Sequence, residues 1–267
     1  MFNTYFGMKC NPFRKDINIV NTYELTDFKE VQGRLSYLQK TKGIGLFTGS
    51  AGLGKTYSVR YFCSKLNPSL YKVVYLPLST VTVIEFYRGL CRGLGIEPKT
   101  KKVDMFVQIQ QTIKSLCNDR KITPVIAVDE AQYLSTDVLN DLKMLFNFDM
   151  DSKNLAILIL VGQPILNDIL SRNVHEPLKQ RIVVNYSFVG MSKEEIDLYI
   201  KDRLRLSGVN ENIFQDSAIT AIASNSNGST RKLNSLVEKC LLICAQKQEN
   251  IVSAETIMLA DNDINFV

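Results

Sequence analysis

Residues 45–60 read GLFTGSAGLGKTYSVR: an apolar run reaches Gly49, continues as G-x-x-x-x-G-K-T and enters a helical pattern. A strand that hands over to a helix through a glycine-rich turn restricts the chain to a few layered α/β arrangements. The glycines permit positive φ and close backbone approach, so the amides from Ser50 to Lys55 are predicted to converge on an anion at a helix N-terminus. Gly49, Ser50, Ala51, Gly52, Leu53, Gly54, Lys55, Thr56 and Tyr57 then form a phosphate cradle. Lys55 reaches the β- and γ-phosphates, and the Thr56 hydroxyl ligates Mg²⁺.

The run GIGLFTGS (43–50) is the first of five β-rich stretches; YKVVYLPL (71–78), PVIAVDEA (124–131), LAILILVGQP (155–164) and RIVVNYSF (181–188) follow. Helical patterns such as TVIEFYRGLCRGLG and STDVLNDLKMLFNF separate them. Near-continuous apolar strands alternating with helices predict a doubly wound parallel sheet covered on both faces. After FVGMSKEEI, where Ser192 caps a helix with Glu195 as its third following residue, helical periodicity replaces the β runs. The expected division is a nucleotide-binding α/β core over residues 1–190 and a helical domain over 191–267.

A site that hydrolyses needs an acidic element, and PVIAVDEAQ supplies Asp129 and Glu130 at the C-terminal end of a buried strand. Open α/β sheets bind ligands at that edge. Asp129 is assigned to Mg²⁺ through water, and Glu130 to polarising the attacking water. Gln163, ending the next strand, is placed to orient that water or touch the γ-phosphate; a polar residue that simply ends a strand is the alternative. Arg181 precedes the last strand, and Arg172 lies nine residues earlier. An arginine delivered to the transferring phosphoryl group accelerates such reactions by about 10³ to 10⁵. Arg181 is expected to act on a neighbouring subunit, and Arg231, opening a helix in the second domain, to close onto the nucleotide. For each of these arginines an ordinary surface position is the alternative.

Hydrophobic content of 45% and charged content of 22% are those of a soluble globular protein. No apolar window is long enough to span a bilayer, and the first residues lack the pattern of a signal peptide, so a cytoplasmic protein without membrane attachment is expected. Six cysteines scattered through apolar surroundings read as reduced core thiols, and a single histidine, His175, makes a zinc site improbable. After position 190 eight basic residues face eleven acidic ones; before it, twenty-four face sixteen. A basic excess confined to the first part suits a polyanion partner, although a solvated basic face is as common.

The phosphate loop, the Asp-Glu strand end, the polar strand end, the late arginine and the G-x-x-R helix together resemble the AAA+ ATPases. More narrowly, YFGMKCNPF, VDEAQYLS, ILVGQP, LKQRI and the G-x-x-R helix resemble the general secretion pathway A (ExeA-type) ATPases and the related AAA+ proteins of transposition. The resemblance implies a P-loop NTPase of AAA+ type with a small all-helical C-terminal lid, and ATP and Mg²⁺ as cofactors. It implies that residues 1–42 flank the adenine, with Pro12 and Phe13 of CNPF near the base. Gln163 becomes sensor 1, Arg181 the finger in trans, and Arg231 the sensor 2 arginine. Compared with the secretion proteins, the sequence lacks their membrane span and cell-wall-binding tail. The resulting expectation is a homo-oligomer, ring or filament, that assembles on duplex DNA with ATP and regulates transposition by recruiting a transposase. The alternative is a soluble secretion-type ATPase acting on a protein complex. Candidate DNA contacts are Arg88, Arg92, Lys99, Lys101 and Lys102, with Thr80 and Thr82 as further phosphate donors; a solvated loop explains the lysines equally well.

Overall fold

The computed structural model describes residues 2–14, 22–77, 82–149 and 153–265. Its strands are β1 (Gly43–Thr48), β2 (Tyr71–Pro77), β3 (Thr123–Asp129), β4 (Ile157–Gly162) and β5 (Ile182–Ser187). The helices are α1 (Phe2–Tyr5), α2 (Thr26–Thr41), α3 (Lys55–Lys65), α4 (Val83–Gly93), α5 (Lys102–Asn118), α6 (Thr136–Leu145), α7 (Ile165–Leu170), α8 (Glu176–Lys179), α9 (Lys193–Ser207), α10 (Asp216–Ser226), α11 (Thr230–Lys247) and α12 (Ala254–Asn265). All five expected strands form, with ends that differ from the expected runs by one or two residues. Contacts divide the chain into an α/β unit (Glu30–Ser50 and Lys55–Phe188) and a helical unit (Met1–Lys29, Ala51–Gly54 and Val189–Val267).

In the α/β unit the strand order is β2-β3-β4-β1-β5, all parallel. Period-two alternation of an extended chain sends successive side chains to opposite faces, and here both faces are buried. Leu46, Ile126, Val128, Leu158 and Leu160 join one apolar cluster with Tyr87, Leu90, Ile109, Ile113, Leu139 and Leu142 of α4, α5 and α6. Phe47, Val125, Ala127, Ile157, Ile159 and Val161 are buried on the other face. There α2 comes so close that a Cβ at Gly45 would stand 2.6 Å from Leu38 Cδ2. The expected α/β class is therefore the observed one.

The helical unit has its own core, built from Ile196, Ile200 and Leu204 of α9, Ile219 and Ile222 of α10, Leu236, Val237 and Cys240 of α11, and Ile257 of α12. Its entry follows the sequence reading: Ser192 Oγ accepts from the Glu195 amide at 3.3 Å while Glu195 returns a carboxylate to the Ser192 amide at 3.1 Å. The N-terminal stretch, expected in the core, groups instead with these helices. Met8 and Phe13 belong to their apolar cluster, the Lys9 amide donates to Ser207 O at 2.8 Å, and Asn11 donates to Glu238 at 2.7 Å.

All six cysteines are free. Cys91, Cys240 and Cys244 are buried as expected, and burial pushes the Cys240 thiol up to about 12. Cys63 and Cys117 are half-buried, Cys117 against the apolar cluster, whereas Cys10 is exposed and not a core thiol; it lies in the turn after α1, where little packs over it. Among the described residues no helix is long and apolar enough to cross a membrane.

Candidate functional site

The site begins where β1 ends. Thr48 is fully buried; its hydroxyl lies 3.0 Å from that of Ser187 and accepts from Asn167 Nδ2 at 3.0 Å. One residue on, the Gly49 amide donates to Gly162 O at 3.2 Å, extending the β1–β4 pairing past the strand. Lys55 opens α3 at 7% exposure, its ammonium donating to the carbonyls of Gly49 (2.7 Å) and Ser50 (2.8 Å). A buried cation is thus held at a helix N-terminus by two acceptors it can exchange for phosphate oxygens. Tyr57, one turn into α3, has its ring under the Arg60 guanidinium at 5.2 Å.

Gly52 and Gly54 take φ of +86° and +87°, the left-handed region that favours glycine. Ala51–Gly54 group with the helical unit, where Ser229, the N-cap of α11, donates to Ala51 O at 3.4 Å and the Arg231 amide donates to Gly52 O at 3.3 Å. A Cβ at Gly52 would stand 2.3 Å from Ser229 Oγ. Gly52→Ala is therefore expected to strain the loop by about 1–2 kcal/mol from φ alone and to displace Ser229 besides. Titration with a fluorescent ATP analogue should show affinity reduced tenfold or more; unchanged affinity would contradict this account of the loop.

Asp129, 6% exposed at the end of β3, collects three donors. Thr56 Oγ1 (2.7 Å) and the Tyr75 hydroxyl (2.9 Å) donate to Oδ2, and the Glu130 amide (2.9 Å) to Oδ1. Burial, then the hydrogen bond and charge of Asp129, push Tyr75 up to about 12, so its hydroxyl remains a donor at neutral pH. Thr56 and Asp129 present hard oxygens one hydrogen bond apart, a donor set that fits Mg²⁺. Among the described residues no cluster of three or more His, Cys, Asp or Glu could hold a metal. Mg²⁺ shared with substrate phosphates needs only one or two protein ligands.

Glu130 takes φ +54° and ψ +40°, a left-handed conformation unusual for a side-chain-bearing residue and common at functional positions. Its carboxylate accepts from Gln132 Nε2 at 2.7 Å, and Gln132 Oε1 accepts from the Gln163 amide at 3.1 Å. Since β4 lies between β3 and β1, Lys55, Thr56, Asp129, Glu130 and Gln163 all gather at one end of the sheet. Sequence reading missed Tyr75 and Gln132, because the bond from Tyr75 to Asp129 and the bond from the Gln163 backbone to Gln132 form only when β2, β3 and β4 are placed side by side.

Arg181 is not with them. It precedes β5, whose Ile182 pairs with Ile44 near the start of β1, so it stands at the opposite end of the sheet from Thr48 and donates to Lys143 O at 2.7 Å. Arg172 is exposed, ahead of the 3₁₀ turn Asn173–His175. His175 is 1% exposed, and burial followed by the charge of Arg172 lowers its pKa, keeping the ring neutral. Pro12 and Phe13 are buried in the helical unit, and Arg231 is exposed in the first turn of α11. Arg88 and Arg92 are exposed one turn apart on α4, and Lys99 and Lys101 are exposed before α5.

Two of the expected phosphate contacts are engaged within the fold. Lys102 pairs with Asp141 at 2.6 Å and lies 5.8 Å over the Tyr87 ring. The Thr82 hydroxyl caps α4, accepting from the Glu85 amide; the Thr82 backbone N–H, and then its hydroxyl, donate to the Glu85 carboxylate and hold its pKa below the ordinary value. Thr80 lies outside the described residues.

Residues 38–170 match the family of the AAA domain. The whole chain aligns at 27% identity over 272 residues with General secretion pathway protein A of Aeromonas hydrophila, covering 49% of that protein; it spans about half the length of this curated relative. Among solved structures, Cdc6p from Pyrobaculum aerophilum superposes with a TM-score of 0.68 at 14% identity, over 98% of this chain and 70% of that one. The Aeropyrum pernix ORC1 protein in complex with DNA does so with a TM-score of 0.68 at 15% identity, over 95% and 68%. At such identities the likeness is one of fold. Residues 38–170 therefore resemble an AAA domain, and the chain shares the α/β fold of these solved structures.

Proposed function

We propose that the protein binds and hydrolyses ATP, assembles with copies of itself on duplex DNA in the ATP-bound state, and there recruits a protein partner, a transposase in the reading that the sequence motifs favour. One observation carries the ATPase part: Lys55, Thr56, Asp129 and Glu130 converge at one end of the sheet, while Arg181 stands at the other. In this reading Lys55 trades the carbonyls of Gly49 and Ser50 for β- and γ-phosphate oxygens. Thr56, and Asp129 through water, would hold Mg²⁺, which would supply positive charge against the phosphates. Glu130 takes the proton of the attacking water, and the Gln163 side-chain amide orients that water. Arg181 completes the site of an adjoining subunit, which makes hydrolysis depend on assembly. Arg231 responds to the nucleotide, and Pro12 and Phe13 flank its base.

The DNA part rests on the basic excess before residue 190 and on Arg88, Arg92, Lys99 and Lys101, all exposed. The ORC1 protein of the same fold was determined in complex with DNA, which is consistent with it. The test is fluorescence anisotropy of a labelled duplex with a nonhydrolysable ATP analogue, with ADP and without nucleotide, across a salt series. Binding is expected only with the analogue and should weaken steeply with salt. Arg88→Ala should weaken it for every sequence and flatten the log–log salt slope by about 1. Absence of binding in all three states would sink the DNA reading. It would leave an ATPase acting on a protein complex, which the 27% identity to a general secretion pathway A protein supports.

A further inference from the structure

Gln132 sits in the 3₁₀ turn Ala131–Tyr133, directly after the strained Glu130. Its amide makes two bonds that fix its orientation. Only the NH₂ can donate to a carboxylate, and only the oxygen can accept from a backbone N–H. Nε2 meets Glu130 Oε2 at 2.7 Å, and Oε1 meets the Gln163 amide at 3.1 Å, so one planar group spans from the carboxylate to the residue just past β4. The room for it comes from Gly162, where a Cβ would stand 2.8 Å from Gln132 Oε1 and 2.8 Å from Leu166 Cδ2. Below it the turn is anchored by Ala131, fully buried, and Leu134, 5% exposed. Gln132 itself is half-buried, so its apolar stem contributes little to the core.

We propose that Gln132 is a positioning residue for hydrolysis: its side-chain amide holds the Glu130 carboxylate in one rotamer and ties it to the strand that presents Gln163, keeping base and sensor in fixed register. This rests on the ATPase reading above. Glu130 is the left-handed N-cap of the 3₁₀ turn Ala131–Tyr133 and makes no side-chain capping bond, so its carboxylate is not held by that turn's backbone. A carboxylate held by a charge-assisted bond accepts a proton from a water at a defined place, whereas a swinging one does so only part of the time. The bond to Gln163 is made to its backbone, so the tie depends on the path of β4 and not on which side chain occupies position 163.

The test uses the full chain with two substitutions. Gln132→Met keeps length and volume but loses both hydrogen bonds. Gln132→Glu retains the acceptor facing the Gln163 amide and sets a second carboxylate against Glu130. Multiple- and single-turnover ATP hydrolysis, and affinity for a fluorescent ATP analogue, are measured for each, alone and combined with Glu130→Gln. Both variants should lose tenfold or more in kcat while analogue affinity stays within about twofold. In the Glu130→Gln background Gln132→Met should change residual turnover by less than twofold, because a residue acting through Glu130 has nothing left to position. Wild-type kcat in Gln132→Met would overturn the proposal. So would a deficit of undiminished size in the Glu130→Gln background, or a parallel loss of analogue affinity, which would mark a merely structural role. A wild-type chain that binds the analogue but never hydrolyses ATP would overturn the ATPase reading itself, and this inference with it.

Discussion

Arg181→Ala is expected to lower ATP turnover about 10³-fold or more while leaving affinity for an ATP analogue within a factor of two. The separation of effects follows from topology. Parallel strands put Thr48, Asp129 and Gln163 at one end of the sheet, and Ile182 pairs with Ile44 at the other. At about 3.3 Å per residue, the length of β1 puts Arg181 on the order of 15 Å from the loop of its own chain. It cannot touch a phosphate there, yet a head-to-tail neighbour can present its loop to it. Mixing Arg181→Ala with Lys55→Ala subunits tests this directly. At equal proportions about a quarter of randomly formed head-to-tail interfaces would pair an intact loop with an intact Arg181, so turnover should return to a measurable fraction of wild type. If activity does not recover at any ratio, donation in trans is wrong; a loss confined to Arg172→Ala would move the finger nine residues upstream.

Lys55→Ala should weaken nucleotide binding by 100-fold or more. Hydrogen bonds to charged groups contribute about 1.5–3 kcal/mol each, and the ammonium makes two in the free protein that it can transfer to two phosphates. No other lysine or arginine opens the helix that follows the loop. The fold itself should survive, since the carbonyls of Gly49 and Ser50 lie at the sheet's edge and water can replace the ammonium. Calorimetric titration with ATP in Mg²⁺ buffer measures the first effect and the melting temperature of the free protein the second. Binding retained at wild-type strength in a folded variant would remove the phosphate loop assignment and everything built on it.

Much of this architecture was legible in the chain because its signals are local. A run such as LILV must be strand or buried helix, and the glycine of β4's end and the proline after it cut the choice. Asp129 and Glu130 announce themselves as charges at the end of an apolar run, and Ser192 with Glu195 as a capping pair. What stayed hidden depends on pairing between distant segments. Nothing in YKVVYLP says that Tyr75 will lie beside Ala127 and reach Asp129, or that the glutamine of DEAQ will bridge to β4. Lys102 looked like a free cation beside Lys101, and only the packing of α5 against α6 brings Asp141 to it. The N-terminal stretch misled for a similar reason. Met8 and Phe13 are ordinary apolar residues whose choice of core is decided by helices some two hundred residues later.

The place of β1 between β4 and β5 also governs how the chain is made. β2 and β3 pair with each other, but β1 finds its partners only in β4 and β5, and its first pair, Gly43 with Ile157, is 114 residues apart. On a ribosome adding about 5–20 residues per second, the strand leading into the phosphate loop waits on the order of 10 s for its first strand partner. Pairing at such separation is slow and exposes sticky surface. Among the five strands, the one that leads into the phosphate loop is therefore the one that waits longest for its first partner.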